Sequence, residues 1–419
     1  MDTSNLNCKG LRVLLRAPYP PPYGGIASLI VSLLPGLRDH GAEEVVVLDY
    51  GTRNVVETIE GARIYRYEIK SQVWRMLLPQ NWSTFFLVLS TFKGARLQLR
   101  RLISETLKTI LANQIATRHR CNVVSFYQTD MALELLACRR MWGPSRGIAL
   151  TVFGEIYDNP EFIKARPELF RRLIESPAAV MSSSEHCARS FESIGVDRSI
   201  EVVYIGVDLE RFADDGALRQ RYRGQLQLTG DTKLLLFVGR FNMEMGLDSL
   251  IALAPSLIRR NNQLKLILAG AKGPLCDLAL ECQKNHPDHV IVMNDVPFDL
   301  LPFLYAASDV VLAPSRDQHA CMGVAIKEAM AASRPVIGSD SGGIPEAIVH
   351  DETGLIVPLD REGDIDRERY EEAILSLVSD RQRCLTMGRS ARLRAEELFS
   401  EDTTVRRTAE IFISSMPSA

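Results

Sequence analysis

The chain has 419 residues, 46% hydrophobic and 24% charged, with a formal net charge of -3 at pH 7. That length and balance suit two α/β domains with separate cores and exclude a disordered or low-complexity protein. The charge gives no global pull toward nucleic acid, and no basic run is interleaved with stacking aromatics in the manner of a single-strand binder. Eight cysteines, Cys8 to Cys384, form no CxxC pair, and seven histidines show no metal-ligand spacing, so reduced cytoplasmic thiols and no metal are expected. Met1 to Gly10 is polar and reads as no secretory signal, and no apolar run is long enough to span a bilayer.

In chain order, β-rich apolar runs fall at Leu11 to Leu15, Val45 to Leu48, Val123 to Phe126, Ala149 to Phe153, Val180 to Ser183 and Val202 to Ile205. A polar stretch, Ala213 to Asp231, reads as a linker. The pattern then restarts at Leu234 to Val238, Leu264 to Ala269, Val290 to Met293, Val310 to Ala313 and Val336 to Gly338. Helical stretches separate most of these runs, which predicts parallel sheets covered on both faces in two domains, 1–206 and 207–399.

Three segments carry candidate chemistry. Pro22-Tyr23-Gly24-Gly25-Ile26 follows the first strand, where Gly24 and Gly25 would let backbone approach a phosphate with a helix from Ile26 aimed at it; a plain tight turn explains the glycines equally well. Gly239 and Arg240 directly follow the strand Leu234 to Val238, placing a guanidinium that grips two phosphate oxygens at a strand end. Residues 307 to 358 read strand, polar loop, helix, strand: Gly323 opens an Ala-rich helix carrying Glu328, and the amides around Cys321, Met322, Gly323 and Val324 face phosphate or sugar oxygens. Glu328 is placed to accept both hydroxyls of a ribose.

Together with Gly206-Val207-Asp208 through Phe212, the strand Leu266 to Gly270 and the run Pro302 to Asp309, these motifs occur in the order of a known family. The chain resembles, over nearly its whole length, the retaining GT-B glycosyltransferases of family 4, the glycosyl transferases group 1. The resemblance implies two Rossmann-like domains facing across a cleft: an acceptor domain at 1–206, joined by a returning helix within 400–419, and a nucleotide-sugar donor domain at 207–399. It implies retention of anomeric configuration, with a UDP-sugar favoured slightly over a GDP-sugar as substrate and no cofactor. No Asp-x-Asp cluster stands at a strand end, so arginine and helix amino ends are expected to hold the diphosphate in place of a metal.

Three positions depart from the family pattern. Met245 stands where a lysine usually precedes the glycine, and Lys272 and Arg316 are the nearest replacement cations by sequence. Ala320 stands where the first of the paired glutamates contacts the donor sugar, with His319 one residue away. Phe153 replaces a histidine near the transferred sugar, and Glu155, two places on, offers a carboxylate to the acceptor or serves as a helix-starting residue. Arg240, Glu155 and His319 are therefore the candidate catalytic groups. The expected function is sugar transfer to a glycan, lipid-linked or small-molecule acceptor; the alternatives are a catalytically impaired GT-B partner subunit or a nucleotide-sugar epimerase.

Residues 63–110 are the most basic stretch: Arg63, Arg66, Lys70, Arg75, Lys93, Arg96, Arg100, Arg101 and Lys108 face only Glu68 and Glu105, with Trp74, Trp82, Phe85, Phe86 and Phe92 nearby. One helix is expected to turn Lys93, Arg96 and Arg100 outward and Leu99, Leu102, Ile103 and Ile110 inward, which a solvated surface explains. The alternative is peripheral contact with the anionic inner face of a membrane.

Overall fold

Parallel strands buried on both faces need nearly continuous apolar sequence, and most strands here have it. The computed structural model describes residues 6–20, 25–92, 98–128, 132–158, 161, 163, 165–213, 216–318 and 321–417. The chain divides into one unit of 1–205 plus 404–419 and a second of 206–403.

The first unit is built on an eight-stranded sheet of order β3-β4-β2-β1-β5-β6-β7-β8. Its strands are β1 (Arg12–Arg16), β2 (Glu44–Tyr50), β3 (Val55–Ile59), β4 (Ala62–Tyr67), β5 (Val123–Tyr127), β6 (Gly147–Val152), β7 (Ala179–Ser182) and β8 (Glu201–Val202). All neighbours are parallel except β3, which pairs antiparallel with β4 at the edge. Successive side chains of a strand alternate between two apolar layers. Leu14, Val46 and Val124 join one with the helices Leu99–Arg118 and Ala132–Trp142, while Val13, Leu15, Val45 and Val47 join the other with the helix Gly25–Asp39. The last helix, Glu401–Ser414, buries Val405, Ala409, Ile411 and Phe412 in that second layer.

The second unit holds a six-stranded sheet of order β11-β10-β9-β12-β13-β14, parallel throughout. Its strands are β9 (Lys233–Val238), β10 (Leu264–Gly270), β11 (Val290–Asn294), β12 (Val310–Ala313), β13 (Val336–Ser339) and β14 (Gly354–Val357). The order runs outward from β9 in one direction and outward from β12 in the other, so the crossovers reverse between these two central strands. Ligands of open parallel sheets collect outside the carboxyl ends at such a reversal.

Two expectations about elements are corrected. The stretch Ala213 to Asp231 is not a bare linker: it contains the helix Gly216–Gln225, which belongs to the second unit. Its Arg219 donates to the carbonyls of Ala306 (2.8 Å) and Ser308 (2.6 Å) and pairs with Asp309, while Arg223 donates to the carbonyl of Thr232 at 2.6 Å and to Asp309 at 3.3 Å. In the basic stretch, Arg66 lies within β4 and is buried, donating to Asp49 and to the carbonyls of Tyr19 (2.9 Å) and Pro20 (3.0 Å). It anchors the loop that leaves β1 and adds nothing to the surface charge. Leu99, expected to point inward, is exposed.

Candidate functional site

Three tight backbone approaches shape the carboxyl edge of the second sheet. Gly270 ends β10 with φ 149°, and a Cβ there would lie 1.8 Å from the Gly239 carbonyl oxygen. Gly246 has φ +71°, and its Cβ would lie 1.9 Å from the Pro314 oxygen; a Cβ on Gly273 would lie 2.3 Å from that of Phe241. The loops leaving β9, β10 and β12 thus stack backbone on backbone, which only glycine permits. Gly246→Ala is expected to lose about 3 kcal/mol of stability, because the left-handed backbone and the clash with Pro314 act together. Thermal unfolding of the variant checks this, and an unchanged melting temperature would mean that the loops are not so joined.

Side chains reinforce the joint between the β9 and β12 loops. Arg316 donates from Nε to the carbonyl of Met243 at 2.8 Å and pairs through its other two nitrogens with Asp248 and Asp364. The Arg316 amide and the Ser315 hydroxyl both donate to the carbonyl of Glu244, at 2.9 and 3.1 Å. Arg316, considered from sequence as a replacement phosphate cation, is therefore committed as a strut. Lys272 leaves β10 highly exposed, with its ammonium 3.1 Å from Asp295 Oδ2 and its amide 3.3 Å from Oδ1. Met245 does not reproduce a cation either. It packs against the core, close enough that a Cβ on Gly239 would meet its Cε at 3.1 Å.

Arg240 differs from all of these. It is exposed at the end of β9, and its guanidinium has no hydrogen bond or ion pair among the described residues. Gly239 beside it donates to the carbonyl of Ala269 at 3.0 Å, so the backbone that carries Arg240 is held by the neighbouring strand.

Glu328 sits in the helix Val324–Ala331, which follows β12, and is 5% exposed. The buried hydroxyl of Tyr305 donates to its Oε2 at 2.8 Å, and Oε1 accepts nothing among the described residues. Burial pushes the carboxyl up to about 7, against the opposing pull of the Tyr305 hydroxyl and of the Arg211 and Lys327 charges. Lys327, also buried, is pushed down to about 8 by desolvation, opposed by Cys321, Glu328 and Glu346. The helix begins at Gly323, φ 77°, without a side-chain cap, which leaves its first-turn amides available to an anion. Cys321 and Val324 are half-buried, and Met322 is buried.

The second unit accordingly brings Gly239, Arg240, Cys321 to Val324 and Glu328 to the carboxyl edge at the β9/β12 reversal. His319 and Ala320 lie outside the described residues. In the first unit, Gly25 begins the helix Gly25–Asp39 and Gly24 lies outside the described residues. Glu155 begins the short helix Glu155–Asp158, and its Oε2 accepts from the Phe153 amide at 2.6 Å.

Two neighbours of Glu328 were not assigned from sequence. Tyr305 lies in the quoted run before β12, but nothing in spacing alone pairs it with a residue 23 positions on. Arg211 belongs to the Gly206 to Phe212 turn; it stacks 4.0 Å above the Phe298 ring and pairs with Asp299 at 2.6 Å.

Residues 219–394 match the family described as "Glycosyl transferases group 1". A "GDP-mannose-dependent alpha-(1-6)-phosphatidylinositol monomannoside mannosyltransferase" of Mycobacterium tuberculosis is 28% identical over 409 residues, 95% of this chain and 97% of the relative. Among solved structures, the sucrose-phosphate synthase of Thermosynechococcus elongatus superposes with a TM-score of 0.73 at 18% identity, covering 96% of this chain and 98% of its own. Anabaena HepE in complex with UDP gives 0.68 at 17% identity, covering 96% and 98%.

Proposed function

We propose that the chain, which matches the group 1 glycosyl transferases over residues 219–394 and shares the GT-B architecture of the solved structures, is a glycosyltransferase that moves a sugar from a nucleoside-diphosphate donor to an acceptor with retention of anomeric configuration. The supporting observation is the placing of opposite equipment at one strand reversal: a guanidinium, Arg240, unpaired among the described residues, and a carboxylate, Glu328, whose Oε2 accepts from Tyr305 and whose Oε1 accepts from none of them. In this reading the bond from the anomeric carbon to the diphosphate breaks as the bond to the acceptor oxygen forms, and the acceptor's hydroxyl proton passes to an oxygen of the departing diphosphate. Arg240 and the first-turn amides of the helix Val324–Ala331 take the charge that builds on the departing diphosphate. Glu328 holds the two ribose hydroxyls and fixes where the anomeric carbon lies. The contact with the transferred sugar falls to the segment around His319 and Ala320.

We infer a lipid-linked acceptor, in keeping with the phosphatidylinositol mannoside in the name of the mycobacterial relative. The relatives point to UDP or GDP as the donor nucleotide: the solved HepE complex holds UDP, and the mycobacterial relative is GDP-mannose-dependent by name. One observation favours a catalytically impaired partner subunit instead, the packing of a half-buried Met245 against the core where the family carries a lysine. Calorimetry with UDP-, GDP- and dTDP-sugars followed by a sugar-release assay separates the readings. Binding of one donor with slow release, accelerated by acceptor, is expected. Tight binding with no release would support the impaired subunit, and conversion of the donor without acceptor would support an epimerase.

A further inference from the structure

The helix Trp82–Thr91 is apolar on both faces. It buries Val88 with Thr84 and Thr91 and packs Phe85 and Leu87 against the core, yet exposes Trp82, Phe86 and Leu89, a second i, i+4, i+7 stripe of the kind that ordinarily faces a core. The preceding 3-10 segment, Ile69–Leu77, extends the same character with Trp74 and Leu77, the latter 80% exposed. A monomer seldom leaves so many large apolar side chains together in water, so this platform calls for a covering.

Charge decides which covering. From Ile69 to Ser104 the sequence holds Lys70, Arg75, Lys93, Arg96, Arg100 and Arg101 and no aspartate or glutamate. Lys70, Arg100 and Arg101 are exposed, and Lys93 and Arg96 lie outside the described residues. Tryptophan with neighbouring cations and no acid suits the headgroup layer of an anionic bilayer, where indole rests at the apolar boundary and each cation meets lipid phosphate. A protein partner or a second copy of this chain would have to supply the missing acids itself, and the platform has none to offer in exchange.

We propose that the stretch 69–92, together with Arg100 and Arg101, is a membrane-docking platform: Trp74, Leu77, Trp82 and Phe86 enter the interface of an anionic bilayer, and Lys70, Arg100 and Arg101 hold it there. No helix among the described residues is long and apolar enough to cross a membrane, so this contact is peripheral. It also differs from the solvated-surface expectation in its physical basis, because the apolar side chains themselves point outward.

The three tryptophans make the test direct, since Trp142 is buried and Trp74 and Trp82 are not. The full chain is mixed with vesicles of phosphatidylcholine alone or of equal parts phosphatidylcholine and phosphatidylglycerol, with and without brominated acyl chains. Sedimentation with the anionic vesicles, weakened by salt, and quenching of tryptophan emission by the brominated lipid are expected. Quenching should be lost in Trp74→Phe/Trp82→Phe. Replacing two cations, as in Lys70→Gln/Arg101→Gln, should weaken vesicle binding by about 30-fold, and Leu77→Asp/Phe86→Asp should abolish the quenching. Nucleotide affinity of the same variants should match the wild type, which shows that they fold and keeps this result separate from the transferase reading. Sedimentation no greater with anionic than with neutral vesicles would overturn the proposal. A dimer in light scattering that Leu77→Asp/Phe86→Asp dissociates, without vesicle binding, would overturn it in favour of a self-interface.

Discussion

Arg240→Ala should lower kcat/KM for the nucleotide-sugar by about 100- to 1,000-fold while leaving thermal stability within about 0.5 kcal/mol of wild type. The small structural effect follows because the Arg240 guanidinium is exposed and has no partner to lose among the described residues. The large functional effect follows from the lack of a substitute. Arg316 is bound to Asp248, Asp364 and the Met243 carbonyl, Lys272 is paired with Asp295, and Met245 is uncharged and packs against the core. A unit charge about 4 Å from a phosphate oxygen in a partly wet site is worth on the order of 4 kcal/mol of gross Coulomb energy. Removing it leaves the developing charge to the helix amides alone. Arg240→Lys should recover part of the rate as a point charge but not the two-pronged grip of a guanidinium. Steady-state kinetics of both variants with a saturating acceptor provides the check, and wild-type rates for Arg240→Ala would remove this residue from the mechanism.

How far such a site can be read from sequence depends on what kind of force holds each part. β1, β2, β5, β9, β10 and β12 were visible because strands buried on both faces must be apolar along their length. β3 and β4 were not, since an edge hairpin of Val-Val-Glu-Thr-Ile and Ala-Arg-Ile-Tyr-Arg-Tyr mixes charge into its alternation. The helix Gly216–Gln225 escaped for a related reason. It is polar almost throughout, with Tyr222 its one buried side chain, and Arg219 and Arg223 tie it to Asp309, so hydropathy reads it as linker. Glu328 was legible from a strand-loop-helix pattern that puts a carboxylate near a strand reversal. Its partner Tyr305 was not, because a contact between two elements carries no local signal. The same limit explains Arg316, whose sequence context resembles that of a free cation and whose role as a strut depends on Asp248 and Asp364, far away along the chain. The platform around Trp82 shows it again: the apolar period announces a helix face, but whether that face turns inward or outward is settled by the helices packed on its other side.

Glu328→Gln should move stability and ligand binding in opposite directions, which a merely structural glutamate would not do. The carboxyl titrates near 7 in the folded chain against an ordinary 4.5, because burial disfavours the charged form. An acid raised on folding holds more protons in the native than in the unfolded state between those values, so stability falls as pH rises from about 4.5 to about 7 and stays lower above it. Two and a half units correspond to about 3 kcal/mol. The glutamine variant, neutral throughout and still able to accept from Tyr305 through its amide oxygen, should therefore unfold at a higher temperature than wild type at pH 8 and at a similar one near pH 4.5. The same neutrality should weaken nucleotide binding by about 100-fold, since two charge-assisted bonds to ribose hydroxyls become ordinary ones. Wild-type affinity should rise with pH through about 7 as the carboxylate forms, and the variant's should stay flat over that range. Calorimetric titration of UDP and GDP at pH 5.5, 6.5, 7.5 and 8.5, beside melting curves at the same values, reads both quantities. A Glu328→Gln protein that is more stable at pH 8 yet binds nucleotide as tightly as wild type would leave Glu328 a buried acid with no ribose to hold.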